Sequence, residues 1–365
     1  MPNRFAIPDV LVIGGGIAGC GLASVLARAG MSVIVVERTT RFIDRIRGEF
    51  AHPWGVRELE RVNLLDVATA RAGGRILPYW TKYTDGVPGE PYRWSDDFPD
   101  VPGSLSVSHP ALQQALIDHA AEQGAAVLRP AALDEITWEG DQPVVRVHAD
   151  DTWHEVRPRL VVGADGTHSL VRRQLGGTGI TDEPHHAIGG ALVAGIDLPA
   201  DSAHQAYFAG GFAMVFPQGD DISRVYYVCS TEEAAVLQLA DQPKALLDRL
   251  RDILPSEATR SMAGTESPVG FFPNAETLAT VTHGPATVLI GDATGSNDPS
   301  QGHGLSLVFR DIHDLSNRLA RESDWSVIPS TFAAERARVH GVLRAHAHWV
   351  EPLSTETGPH IDAMR

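Results

Sequence analysis

The sequence predicts an α/β fold, a mostly parallel sheet interrupted by a second, sheet-rich domain. Three observations predict it. The chain opens with "DVLVIG", a continuous apolar run bounded by glycines, as a parallel strand buried on both faces requires. A glycine-rich turn and an apolar-periodic helix follow at once. The same order of strand, turn and helix returns twice, in "LVVGADGTHSLVRRQLGG" and in "VLIGDATGSNDPSQGHGLSL", while part of the intervening chain alternates like an antiparallel sheet.

The first unit is the most explicit. Gly14, Gly16 and Gly19 stand in GxGxxG spacing. The first glycine permits a tight turn, the second the close approach of a pyrophosphate, and the third the packing of helix on strand. Residues 17–28 carry apolar side chains at helical spacing, with Cys20 as a packed core thiol, and Gly30 is placed to end the helix. "MSVIVVER" is the next buried strand and closes a βαβ unit, ending at Glu37, where a ribose-binding acid belongs. The pattern is that of a Rossmann-like dinucleotide-binding domain.

Further along, residues 110–122 form an amphipathic helix, and "PVVRVHAD" with "WHEVRPRLVVG" reads as a strand pair. From about Thr181 strands alternate through "GGALVAGIDL" and "HQAYFAGGFAMVFPQGDDISRVYYVC", joined by a "QGDD" turn. In an uninterrupted strand, Tyr207, Ala209, Gly211 and Ala213 share one face, and Phe208, Phe212 and Met214 the other. "PKALLDRLRDIL" is a helix, buried-strand texture returns at Thr287, and "STFAAERARVHGVLRAHAHWVEPL" is a C-terminal helix.

Bulk properties narrow the function. With 365 residues the chain has room for a large core and two domains. A net charge of −16 argues against nucleic acid and anionic membrane as partners. Two cysteines, Cys20 and Cys229, without a CxxC, make no disulfide framework, so a cytoplasmic location is expected. No apolar run reaches the roughly 18 residues of a spanning helix. "MPNRFAIPD" lacks a signal-peptide core. No metal site is assigned.

Dinucleotide binding alone leaves NAD and FAD open. The pairs Asp165-Gly166 and Gly291-Asp292, each just after a buried strand, resemble the motifs of the class A flavoprotein monooxygenases, the para-hydroxybenzoate hydroxylase-like family. The resemblance implies a Rossmann-like FAD-binding domain from residues 1–75, 105–180 and 269–365, and a substrate-binding β-sheet domain from 76–104 and 181–268. It implies FAD as cofactor, with Gly14, Gly16, Gly19 and Glu37 on the adenosine half. "ERTTRFIDRIRGE" resembles the segment whose arginines reach the cofactor, which brings in Arg38, Arg45 and Arg47. Asp165 and Gly166 would shape the pyrophosphate region, and Asp292, after Gly291, would accept from a ribityl hydroxyl. Pro299, Gly302 and Gly304 would pass backbone beside the isoalloxazine, and a helix starting near Leu305 would aim its N-terminus at the flavin. His109, in "HPAL", stands where the family has an arginine. Thr294, Gly295 and Ser306 also depart from the family pattern.

The implied reaction is hydride transfer from NADH or NADPH to FAD, then addition of O₂ to give a flavin C4a-hydroperoxide that hydroxylates an aromatic, phenolic or polyketide-like small molecule. The alternatives are epoxidation, Baeyer–Villiger insertion, a flavin-dependent halogenase or a non-catalytic FAD protein. The halogenase signature, Trp-x-Trp-x-Ile-Pro with a nearby lysine, is absent. Candidate bases are His52, His185, His186, His204, Tyr226 and Tyr227, none singled out by spacing. The chain ends soon after its last helix, so no thioredoxin-like extra domain is expected. The sequence does not indicate an oligomeric state.

Overall fold

Among the described residues, hydrogen bonding sorts the strands into one mostly parallel sheet, one large and mostly antiparallel sheet, and three small ones. The computed structural model describes residues 7–44, 46, 48–239, 241–358 and 360–361. In the parallel sheet Thr287–Leu289, Leu160–Gly163, Val10–Ile13, Val33–Val36 and Ala126–Leu128 lie side by side, with His283–Gly284 antiparallel at one edge. Each of the three glycine turns therefore leaves a neighbouring strand at the same edge, the edge where ligands bind in open parallel sheets.

Successive side chains of a strand point to opposite faces, so each strand feeds two cores. Val10, Val12, Val33, Val35, Leu160 and Val162 pack under the helices Ile17–Arg28, His109–Glu122 and His303–Arg321. Leu11, Ile13, Ile34 and Val161 face the three-stranded sheet Ala131–Glu139, Gln142–Ala149 and Thr152–Val156. The stretch "WHEVRPRLVVG" is thus two strands. Thr152–Val156 stays in that small sheet, while Leu160–Gly163 enters the parallel sheet beyond Pro158. Proline lacks the N–H that a continuous ladder needs.

The mostly antiparallel sheet runs Gly270–Asn274, His186–Ala194, Ile222–Cys229, Gly211–Gly219, Ser202–Phe208, Tyr79–Thr84 and Val87–Pro88, with Tyr92–Arg93 also on Tyr79–Thr84; Ser202–Phe208 and Tyr79–Thr84 are its one parallel pair among the described residues. Gly270–Asn274 falls after the boundary expected at 269, yet it pairs with His186–Ala194. Its own alternation explains this: Phe271 enters the core under the helices, and Phe272 faces the other side. The expected sharing of faces across residues 207–214 is also corrected. Phe208 pairs with Gly211 across a tight turn at Ala209–Gly210, where Gly210 has φ +85°. Tyr207 therefore shares its face with Phe212, Met214 and Phe216, and Phe208 faces Tyr227 on the other side. That other side is covered by the helices Thr231–Leu239 and Gln242–Ile253. A short antiparallel sheet, Phe50–Ala51, Ser104–Ser106 and Arg75–Leu77, lies where the chain passes between the two large sheets. The last helix, Ile328–Thr355, begins against the parallel sheet and ends near the tip of the hairpin at Gly210.

Candidate active site

The three glycine turns meet. Gly14 has φ +107°, and a Cβ there would lie 2.4 Å from Ala164 O and 2.9 Å from Asp165 Cα, so the first and second turns are in backbone contact. Gly291 has φ +57°, and its Cβ would lie 3.1 Å from Ala18, so the third turn rests on the first helix. Gly19 sits under the turn: a side chain there would strike Gly14 O at 2.0 Å. Gly16 differs from all of these. It is the N-cap of Ile17–Arg28 with ordinary extended backbone, and its Cβ would meet only Gln113 Nε2, at 3.8 Å. Nothing in the fold requires glycine at 16. The space in front of it, and the helix N–H groups behind it, suit a phosphate.

Glu37 is buried at the end of Val33–Val36. Its Oε2 accepts from Gly15 N at 2.7 Å, and its Oε1 from Thr39 N at 2.6 Å and Thr39 Oγ1 at 2.7 Å. Three of the roughly four acceptor positions of a carboxylate are used, which leaves one for a ribose hydroxyl. Arg38 is exposed beside it. Arg45 and Arg47 lie outside the described residues. Asp165 Oδ2 caps the short helix Leu170–Gln174 through Leu170 N at 2.6 Å and Val171 N at 3.2 Å. Its Oδ1 is buried without a hydrogen-bond partner, and Gly166 next to it has φ +78°. An orphaned acceptor and an open phosphate cradle at one edge fit a dinucleotide.

The third turn is shaped by its own departures. Asp292 is partly buried, and Gly291 N donates to the buried Asp311 Oδ2 at 2.9 Å. Thr294 Oγ1 donates to Gly291 O at 2.7 Å and closes the turn. Gly295 has φ +125°, and a Cβ there would lie 2.1 Å from Thr277 O, because Gly295–Ser296 pairs with Thr277–Ala279. Ser306 Oγ accepts from His52 N at 2.9 Å, and Gly55 packs so closely that its Cβ would lie 2.5 Å from that oxygen. The helix expected to start near Leu305 begins at His303, and Gly302, at φ +67°, is its N-cap. Pro299 is exposed, Leu305 is buried, and a Cβ at Gly304 would meet nothing.

Beside this loop stands an aromatic wall. A Cβ at Gly302 would touch Phe50 at 3.1 Å. Phe50 stacks on Phe216 with ring centroids 4.6 Å apart and meets Trp80 edge-on at 5.6 Å. Phe212, Met214 and Tyr226 continue the face. It is this face of the antiparallel sheet, and not the one bearing Tyr227, that meets the Pro299–Gly304 loop. His52 Nε2 bonds Gln301 O at 2.8 Å, and its ring lies 4.9 Å from that of His303. Burial holds both imidazoles neutral: His52 is lowered from its ordinary value and His303 is pushed down to about 3.

One charged cluster interrupts the wall. Arg224, fully buried, pairs through Nη2 with Glu49 Oε1 at 2.7 Å and with Asp44 Oδ2 at 2.6 Å. Tyr226 Oη donates to Glu49 Oε2. Burial raises Glu49 to about 7, although Arg224 and the Tyr226 hydroxyl pull it down. Tyr226 is held well above its ordinary value by burial and by Glu49, so it stays a phenol.

Of the other candidate bases, His204 and Tyr227 lie on the helix-covered face. His204 bonds Tyr83 Oη and Pro199 O, and burial lowers it to about 4. Tyr227 donates to Glu233 Oε1 at 3.1 Å and is raised by burial. His185 and His186 lie with Glu351 of the last helix. His109 starts its helix, and its Nδ1 lies 3.1 Å from Gly48 O. Sequence reasoning missed Glu49, Phe50, Trp80, Arg224 and His303. Glu49 ends the arginine-bearing segment and Phe50 directly follows it, the one local signal that pointed to them.

Glycine turns gathered at one edge of a parallel sheet, under the aromatic face of a second sheet, define a protein of the dinucleotide-binding class. Residues 8–325 match the family described as FAD binding domain, and the chain belongs to that family, with the class A flavoprotein monooxygenases. It is 26% identical over 373 residues to 6-methylpretetramide 4-monooxygenase of Streptomyces rimosus, covering all of this chain and 64% of that protein. It is 28% identical over 368 residues to rifampicin monooxygenase of Streptomyces venezuelae, covering 96% of this chain and 73% of the relative. The crystal structure of P. aeruginosa PqsL in complex with 2-aminobenzoylacetate superposes with a TM-score of 0.77 at 25% identity, over 93% of this chain and 95% of that one. Among the described residues no helix is long and apolar enough to cross a membrane.

Proposed function

We propose that the protein is an NADH- or NADPH-dependent FAD monooxygenase that hydroxylates an aromatic, phenolic or polyketide-like small molecule. The observation that carries this reading is the aromatic wall of Phe50, Trp80, Phe212 and Phe216 standing over the Pro299–Gly304 loop. Two relatives are named as monooxygenases of rifampicin and of 6-methylpretetramide, and PqsL is seen in complex with 2-aminobenzoylacetate, which supports this reading. In this reading the substrate domain comprises residues 76–104 and 181–274, and the rest binds cofactor.

Gly14, Gly16, Gly19 and Glu37 hold the adenosine and pyrophosphate, with Asp165 and Gly166 beside them. Arg38 and His109 flank that half, Arg45 and Arg47 are assigned to the cofactor from the family resemblance alone, and Gly291 and Asp292 hold the ribityl chain. Pro299, Gly302, Gly304 and Leu305 carry the backbone that faces the ring. FAD, when bound and reduced, would supply the electrons that activate O₂, one atom of which goes to the substrate and the other to water. The chain's own residues do the rest. The wall excludes water and stacks a planar substrate. Glu49 Oε2 holds or releases a proton near neutral pH, while Tyr226 keeps its own.

Gly16→Val tests the cofactor assignment, because a Cβ at 16 meets only Gln113 Nε2 at 3.8 Å in the fold, whereas a pyrophosphate would have to give way to it. The expected result is a stability loss without FAD of no more than the roughly 1 kcal/mol of a poorer helix N-cap, and at least a ~100-fold weaker FAD dissociation constant, about 2.7 kcal/mol. Unchanged FAD affinity refutes the site. With FAD bound, NADH and NADPH oxidation are followed by absorbance with and without substituted phenols. Bound flavin that neither nucleotide reduces refutes the reductant.

A further inference from the structure

We propose a second site, for a divalent first-row transition metal ion, formed by His185, His186 and Glu351. The two histidines stand at the entry to His186–Ala194, and the acid stands in the last turns of Ile328–Thr355. Their ligand atoms form a small triangle. His185 Nδ1 and His186 Nδ1 are 2.7 Å apart, and Glu351 Oε1 is 3.0 Å from the first and 3.2 Å from the second. An ion about 2.1 Å from each of three ligands at right angles needs ligand-to-ligand distances of about 3.0 Å. The triangle has the shape of one face of an octahedron, with the two-imidazole, one-carboxylate donor set that first-row divalent ions favour.

Protons do not satisfy this arrangement. If both imidazoles donate to Glu351, two N–H groups oppose each other between the rings. If one imidazole donates to the other, the acceptor's neighbouring lone pair faces the carboxylate oxygen, or a proton is shared unevenly and one edge stays repulsive. A cation satisfies all three edges. No lysine or arginine among the described residues pairs with Glu351, whose further bond is from Thr355 Oγ1 at 2.8 Å. The neighbouring group of Asp182, Glu276 and His348 has similar donors, but the Arg344 guanidinium already lies within it, pairing with both acids. That contrast selects the first group.

The site is built inward as well. His186 is fully buried, and its Nε2 lies 2.7 Å from the Asn274 side-chain amide, which also bonds Asp298 Oδ1. Asp298 Oδ1 in turn accepts from Ser300 N at 2.7 Å, inside the loop proposed to face the flavin. A ligating imidazole is held in this way by partners on its second nitrogen. Outward, His185 is partly exposed and offers an entry path. An ion here would pin the last helix to the antiparallel sheet and, through His186, Asn274 and Asp298, fix the loop from Pro299 to Gly304.

The test is equilibrium dialysis of the chelator-treated, FAD-bound full chain against Co²⁺, with bound metal quantified by elemental analysis. Wild type is expected to retain one tight equivalent, and so is His348→Ala. Glu351→Gln and His185→Ala should bind at least a hundredfold more weakly, beyond the ~10–100-fold typical of losing an outer partner. Glu351→Gln keeps the shape of the side chain, and thermal melts identify any variant that fails to fold. Absence of a tight equivalent in wild type overturns the proposal. So does binding that survives Glu351→Gln and His185→Ala, or that is lost in His348→Ala instead.

Discussion

Glu49 draws its chemistry from residues far away in the chain. Arg224 and Tyr226 reach it across 175 and 177 positions, and burial raises its carboxyl from 4.5 to about 7. A carboxyl raised on folding binds its proton more tightly in the folded chain than in the unfolded one. The stability it contributes is therefore present below its ordinary value and is lost as pH rises toward about 7. Glu49→Gln removes that slope. The stability of wild type minus variant, from urea unfolding at a series of pH values, should fall by on the order of 3 kcal/mol between pH ~4.5 and ~7 and then level off. A flat difference refutes the assignment. Nothing local in "RGEF" announces such a group, whereas Gly14 and Gly19 are legible because their constraint is local: each lies against its own turn. Gly16 is legible as the middle member of the spacing, although the structure gives it only the N-cap position and open space, with Gln113 Nε2 at 3.8 Å from its Cβ position.

The turn-bearing elements were readable in order and type, down to the helix Ile17–Arg28. What their departures meant was not. Thr294, Gly295 and Ser306 read from sequence as lost polar detail, and each proves to hold the backbone of the third turn or its neighbours. Gly295 is the sharpest case, because the partner strand Thr277–Ala279 comes from outside the motif. Gly295→Ala must both adopt φ +125° and displace Thr277 O, so it should cost about 3 kcal/mol or more. Gly30→Ala is the matched control. Gly30 has φ +87° but open space around its Cβ position, so only the conformational cost of about 1 kcal/mol applies. Thermal or urea unfolding of the two variants measures the gap. Equal losses would mean that Gly295–Ser296 is not paired as described.

At the scale of the whole molecule, alternation revealed a second sheet but not which face meets the first domain, because the Ala209–Gly210 turn reverses the count. The face that does meet it carries a wall of rings broken by one buried cation, Arg224, gripping Asp44 and Glu49 from the other side. Two kinds of contact thus join this face to the segment around Asp44–Phe50, and they fail differently. Apolar contacts lose stability in proportion to area, and their losses add at separated positions. A buried ion pair loses most when one partner is left behind, about 3–5 kcal/mol, and much less when both go. Arg224→Met strands Glu49 and Asp44, and Glu49→Gln leaves Arg224 with Asp44 alone. The double variant should therefore be more stable than the sum of the single losses predicts, by about 2 kcal/mol at a pH above the Glu49 value. Urea unfolding of the four proteins closes the cycle. Strict additivity would mean that the clamp transmits nothing between the second sheet and the segment that carries Asp44 and Glu49, and that the aromatic wall alone holds that face over the Pro299–Gly304 loop.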